Sequence, residues 1–252
     1  MGEPIRGIIH VHSDFSNDGL HSVADLADFA RESGFRFVGL TDHAEDLSVQ
    51  DMESLRQECE AHSDESCVMI PGLEFQCNGN IHLLGLGITK EIISTDPIVV
   101  AREIQALGGL AILAHPGRNG YQYPAELYLV LNGIEIWNAG YDGRFVPPLA
   151  NLRLLQEART ANPNIRGFGG EDLHIWVRPP RVVVDLQGVG IGPLDIEMVL
   201  HGLQTGRFSV HGRYLSFDAM TGPDWLGGMP LRVFRKTYEI SKTFRNLVFG
   251  ES

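Results

Sequence analysis

His10 and His12 stand one residue apart at the end of the apolar run 8–11, near the start of a 252-residue chain. Side chains alternate along a strand, so both imidazoles are expected on one face, about 7 Å apart, where they can grip one metal ion. A bare His-x-His carries little information alone. It gains weight because further His, Asp and Glu residues follow other apolar runs: His43 in Thr41-Asp42-His43, Glu74 in Pro71-Gly72-Leu73-Glu74, His115 in Ala114-His115-Pro116, and Asp172 in Asp172-Leu173-His174. His82 is the exception, nearer the middle of its own run, 81–84. Imidazole and carboxylate without thiolate suit zinc, manganese or iron. A carboxylate can bridge two cations where a neutral imidazole cannot easily do so. The other histidines, His21, His62, His201 and His211, fall in helices, loops or a late strand and stay outside the set. Cys59, Cys67 and Cys77 form no Cys-x-x-Cys pair and read as reduced thiols used in packing.

The elements that must position these groups can be read from periodicity and punctuation. Ser22 caps a helix with Val23, Leu26, Ala27 and Ala30 on one face, closed at Gly34, and Ser48 caps a second carrying Met52, Leu55 and Cys59. Asp96-Pro97 opens a third that ends at Gly108-Gly109, Pro124 a short one, and further helices are expected over 147–161 and around 195–203. Strands are expected over 35–40, 67–74, 81–84, 110–114, 133–137, 165–169 and 181–186. This alternation predicts an α/β fold with a parallel sheet, closed or nearly closed into a barrel, as one domain over 1–252. In parallel barrels the active site lies at the C-terminal ends of the strands, where the candidates fall.

Composition narrows the partners. Lys plus Arg number 20 against 32 Asp plus Glu, a formal charge of −12, which argues against a general nucleic-acid or membrane-surface binder. With no signal-peptide pattern and no apolar run long enough to span a membrane, the expected compartment is the cytoplasm. Residues 231–245 reverse the charge locally, with Arg232, Arg235, Lys236, Lys242 and Arg245 against Glu239; a solvated helix face docked through nearby aromatics explains this more simply than nucleic acid does. The run Gly188-Val189-Gly190-Ile191-Gly192-Pro193 has proline where a dinucleotide loop needs its third glycine, and reads as a turn. Ser13 has no histidine left free as its base, so packing suits it better than nucleophilic attack.

The ordered set His10-x-His12-Ser13, Thr41-Asp42-His43, Pro71-Gly72-Leu73-Glu74, Ala114-His115-Pro116 and Asp172-x-His174 resembles the PHP (polymerase and histidinol phosphatase) family over residues 5–175. The resemblance implies a distorted (β/α)7 barrel, two or three divalent transition-metal ions (zinc, manganese or iron) at the strand ends, and hydrolysis of phosphate esters. Carried over by position, it implies that His10, His12, Glu74 and Asp172 hold one ion, with Glu74 bridging to a second held by His82 and His115. Asp18, His43 and His174 would hold a third, Asp18 standing where other members use a histidine. Closely spaced ions would lower the pKa of a shared water, the expected nucleophile. The expected substrate is a phosphomonoester of a small metabolite or nucleotide. The alternatives are a phosphodiesterase or 5′-nuclease on short oligonucleotides, and a metal-stabilised binding domain without catalysis. His82 and His115 are 33 positions apart, which leaves no room for the inserted domain of some nucleotide-processing relatives and favours the monoester. Arg118, in His115-Pro116-Gly117-Arg118, is best placed to neutralise phosphate, ahead of Arg144 and Arg178. His174 or His43 could serve as general acid, although both are also expected ligands.

Overall fold

A computed structural model of the chain describes residues 4–142, 146–177, 179–188 and 193–221. Arg144, Arg178, most of the glycine run after Gly188 and the basic stretch 231–245 lie outside these residues. In chain order the elements are β1 (Ile5–Val11), α1 (Val23–Glu32), β2 (Phe37–Leu40), β3 (Asp42–His43), α2 (Val49–Ala61), β4 (Val68–Ile70), β5 (Gly72–Cys77), β6 (Ile81–Leu86) and α3 (Pro97–Ala106). They continue as β7 (Leu110–Leu113), α4 (Ala125–Tyr128), β8 (Gly133–Asn138), α5 (Leu149–Ala161), β9 (Arg166–Gly170), β10 (Val183–Leu186), α6 (Ile196–Gln204), β11 (Phe208–His211) and β12 (Ser216–Asp218).

The helices start where the sequence places their caps. The Ser22 and Ser48 side chains accept from the backbone of Asp25 and Asp51, whose carboxylates reach back to the cap, and Asp96 accepts from the Ile98 and Val99 N–H groups of the first turn, which Pro97 opens. A serine cap of this kind contributes about 1 kcal/mol. Val23, Leu26, Ala27 and Ala30 on α1 and Met52, Leu55 and Cys59 on α2 are buried, as their spacing predicts. The three cysteines are free and buried, and burial pushes the Cys67 and Cys77 thiols up to about 11 and about 12, consistent with packing.

The strands form two six-stranded mixed sheets, ordered β12-β11-β10-β1-β2-β4 and β3-β5-β6-β7-β8-β9. This corrects the expected parallel sheet: β1–β2, β2–β4, β3–β5, β7–β8 and β8–β9 are parallel, whereas β5–β6, β6–β7, β1–β10, β10–β11 and β11–β12 are antiparallel. A parallel pair needs a crossover of a dozen residues or so, and only the turn Asn78–Asn80 separates β5 from β6. Gly79 and Asn80 have φ of 75° and 57° there, and the chain reverses as a hairpin. The strand expected over 67–74 divides into β4 and β5, one in each sheet.

Two links join the sheets around the site. β2 runs through Thr41 directly into β3, and Thr41 N–H donates to the Val11 carbonyl. Beyond β9, Glu171 N–H donates to Ile9 O, Leu173 N–H to His10 O, and His12 N–H to Leu173 O, so the segment 171–173 lies along the end of β1. Among the described residues, no helix is long and apolar enough to cross a membrane.

Candidate metal centre

All nine expected ligands meet at one end of the strands. His10, His12, Glu74, His82 and His115 are buried. The Glu74 carboxylate is the hub, and its two oxygens divide the imidazoles between them. Oε1 lies 2.7 Å from His82 Nδ1 and 2.9 Å from His115 Nε2. Oε2 lies 3.3 Å from His10 Nε2, 3.4 Å from His12 Nε2 and 3.5 Å from His43 Nδ1. Asp172 Oδ1 approaches the same nitrogens of His10 and His12 at 3.4 and 3.6 Å. On the solvent side, Asp18 Oδ2 is 3.1 Å from His174 Nε2 and 3.5 Å from His43 Nε2. The His12 and His174 rings stack 4.2 Å apart, so His12 faces both the buried and the outer groups.

The backbone reaches this arrangement by leaving regular geometry at several of these residues. His10 has φ of 63°, and the β1–β2 register shifts between Ile9 and Val11. The two histidines thus do not sit on a regular strand at the expected spacing; the bulge brings their ring centroids to 5.3 Å. His115 and Asp172 also have positive φ, 26° and 53°. Such backbone costs on the order of 1–3 kcal/mol per residue and persists where the surroundings hold it in place. His82 is explained by strand direction. Because β6 is antiparallel to β5, its first residues lie at the same end as the last residues of β5, with His82 opposite Gln76.

Two buried polar residues of the centre were not singled out from sequence. Glu135, on β8, accepts from His10 Nδ1 at 2.7 Å through Oε1, and through Oε2 from the His115 N–H at 2.7 Å and Asn138 Nδ2 at 2.9 Å. Asn138 Nδ2 also lies 3.2 Å from Asp172 Oδ2, while its Oδ1 accepts from the Gly140 and Tyr141 N–H groups. A bulge at Ile136 turns both side chains inward although they are three residues apart. A charged residue between two isoleucines in a buried strand was the available signal, since such a group needs partners. Asp42, also buried, accepts from Ser13 N–H, Ser13 Oγ and Ser16 Oγ, which gives Ser13 a structural place in the loop after His12.

The electrostatics favour a cation. Burial opposes charge on His10, but Asp172, Glu135 and Glu74 outweigh it and raise its pKa well above the usual value. Burial likewise opposes charge on Glu74 and Asp172, yet His10, with the other histidines, holds both below the usual carboxylate range. Burial lowers the pKa of His12. His12 Nε2, His43 Nδ1 and His82 Nε2 are buried without a hydrogen-bond partner, an arrangement that costs free energy unless something coordinates them. Four groups have ligand atoms within 4.8 Å of one another: His12, Asp18, His43 and His174; His10, His115 and Asp172; His10, His12 and Glu74; and Glu74, His82 and His115. Nitrogen and oxygen donors at this density fit divalent transition metals.

Arg118 is exposed at the rim, its guanidinium carbon 5.9 Å from the centroid of the Tyr141 ring, which lies 4.8 Å from that of His115.

Comparison with known proteins identifies the fold and the family. Two crystal structures share the fold: a two-domain protein from Bacteroides vulgatus containing a predicted PHP-like metal-dependent phosphoesterase (TM-score 0.59, 19% identity, 85% of this chain and 66% of that one), and a protein from Bifidobacterium adolescentis described as a metal-dependent phosphoesterase by inference (TM-score 0.53, 18% identity, 81% of this chain and 98% of that one). The chain thus spans just under two thirds of the first. No curated protein matches the sequence. The model of the PHP domain matches residues 9–137, just over half of the chain and the stretch from β1 through β8 that carries seven of the nine clustered residues, and the chain belongs to the PHP domain family.

Proposed function

We propose that the chain is a metal-dependent phosphoesterase that hydrolyses a phosphomonoester of a small metabolite or nucleotide, using two or three zinc, manganese or iron ions. The observation that carries this reading is the Glu74 carboxylate, whose oxygens face separate sets of imidazoles. That division suits a bridge between two cations. His10, His12 and Asp172 would hold one ion with Glu74; His82 and His115 would complete the second; Asp18, His43 and His174, with His12 beside them, would hold a third. When bound, such ions supply Lewis acidity, lowering the pKa of water and neutralising phosphoryl oxygens.

The remaining work falls to the chain's own residues. Arg118, steadied against Tyr141, would hold the phosphate oxygens that face the rim, as a planar guanidinium does well. His43 and His174 both face Asp18, which suits ligation better than proton donation. We also read the two sheets as halves of a distorted seven-stranded barrel, with β1, β2–β3, β5, β6, β7, β8 and β9 following one another around the site. The β2–β3 junction and the contact of 171–173 with β1 support this reading.

A substrate panel tests the function. With manganese or zinc added, p-nitrophenyl phosphate and nucleoside monophosphates should be hydrolysed faster than the bis ester or short oligonucleotides. Arg118→Ala should raise KM with a smaller effect on kcat. Preference for diesters would overturn the monoester assignment, and failure to cleave any ester would overturn the hydrolase.

A further inference from the structure

We infer that Glu135 is a positioning residue that makes His10 a ligand through Nε2 and couples the His10 and His115 sides of the centre. The inference rests on the metal reading above and adds to it a residue that touches no ion. A carboxylate oxygen accepts, so the contact of Glu135 Oε1 with His10 Nδ1 places a ring proton on Nδ1 and offers Nε2 to the space beside Glu74 and Asp172. Histidine ligands are commonly oriented in this way, by a carboxylate on the far ring nitrogen. The other Glu135 oxygen accepts from the backbone N–H of His115, where φ is 26°, and so fixes the chain at a second ligand. Asn138 spans from Glu135 to Asp172 and closes the frame. The neighbouring strand leaves space for this carboxylate. A Cβ at Gly170 would overlap Glu135 Oε1 and crowd His10 Cβ.

Glu135→Gln keeps the shape but cannot serve both neighbours. An amide nitrogen facing His10 Nδ1 donates to it and drives the ring proton to Nε2, and an amide nitrogen facing His115 N–H sets donor against donor. Metal affinity, measured by chelator competition, should fall about 10- to 100-fold. Cadmium NMR should show weakened or shifted signals for the ions beside His10 and His115, with the signal of the Asp18, His43 and His174 group unchanged. Gly170→Ala reaches the same carboxylate from the opposite strand and should reproduce the pattern. Glu135→Asp keeps the charge on a shorter arm and should restore part of the affinity. Thermal midpoints of the metal-free proteins identify folded variants. Folded Glu135→Gln and Gly170→Ala proteins with wild-type affinity and cadmium spectrum would overturn the inference while leaving the metal reading intact. A wild-type protein that binds no metal would overturn both.

Discussion

The inner and outer parts of the centre are built differently. In the inner part, Glu74, Asp172 and His10 have side chains 5% exposed or less, and residues outside the candidate ligand set brace three of its groups: Glu135 holds His10, Asn138 holds Asp172, and Glu135 again holds the His115 backbone. In the outer part, the side chains of His43, His174 and Asp18 are 19, 32 and 54% exposed. Asp18 comes from an irregular loop whose anchors include Asn17, which bonds Asp46 at the surface. The inner part resembles a rigid socket and the outer part an open shelf. Ions in the first should be retained, and an ion on the second should exchange.

Glu74→Gln should break this contrast most severely. It removes the carboxylate shared by two of the four ligand groups, so turnover should fall below detection and the inner ions should be lost, whereas the group of His12, Asp18, His43 and His174 does not need Glu74. Metal analysis of the purified variant should therefore find residual binding of lower affinity. Retention of every ion would show that Glu74 is no bridge.

Asp18→Ala should have a narrower effect, weakening one ion by at least about tenfold while leaving the others on their slow chelator-exchange phase. A uniform loss across all ions would erase the distinction between socket and shelf.

Acid should act in a defined direction. Burial opposes charge on His10, but Asp172, Glu135 and Glu74 outweigh it and raise its pKa, so a proton competes with an arriving cation for this imidazole more strongly than it would at a free histidine. Loading at pH 7 should release protons, measurable by calorimetry in buffers of different ionisation enthalpy, and metal retention should decrease as pH falls. The smallest effect belongs to Asp46→Ala. It loosens the Asp18 loop by exposed hydrogen bonds contributing about 1 kcal/mol or less, and should change exchange of the outer ion only slightly.

Much of this candidate centre was legible in the sequence, because His, Asp and Glu residues that follow apolar strands leave a local signature. His12, His43, Glu74 and His115 are readable in this way, and the helices follow from Ser22, Ser48 and Asp96. What was hidden depends on pairing between distant segments. His82 looked misplaced until β6 proved antiparallel, and the antiparallel β10, β11 and β12 carry no local mark of their direction. The His10 bulge replaces simple alternation because β1 must meet both β2 and the segment after β9. Glu135 was masked by its apolar neighbours: its role lies in His10 and His115, which are 125 and 20 residues away.

The most direct test is titration of chelator-stripped protein with manganese or zinc while hydrolysis of p-nitrophenyl phosphate is followed. Turnover should be absent without metal, and the rate should rise until more than one equivalent is bound, as expected for a centre shared through Glu74. Full activity in the metal-free protein, or a folded and metal-saturated protein without phosphoesterase activity, would contradict this.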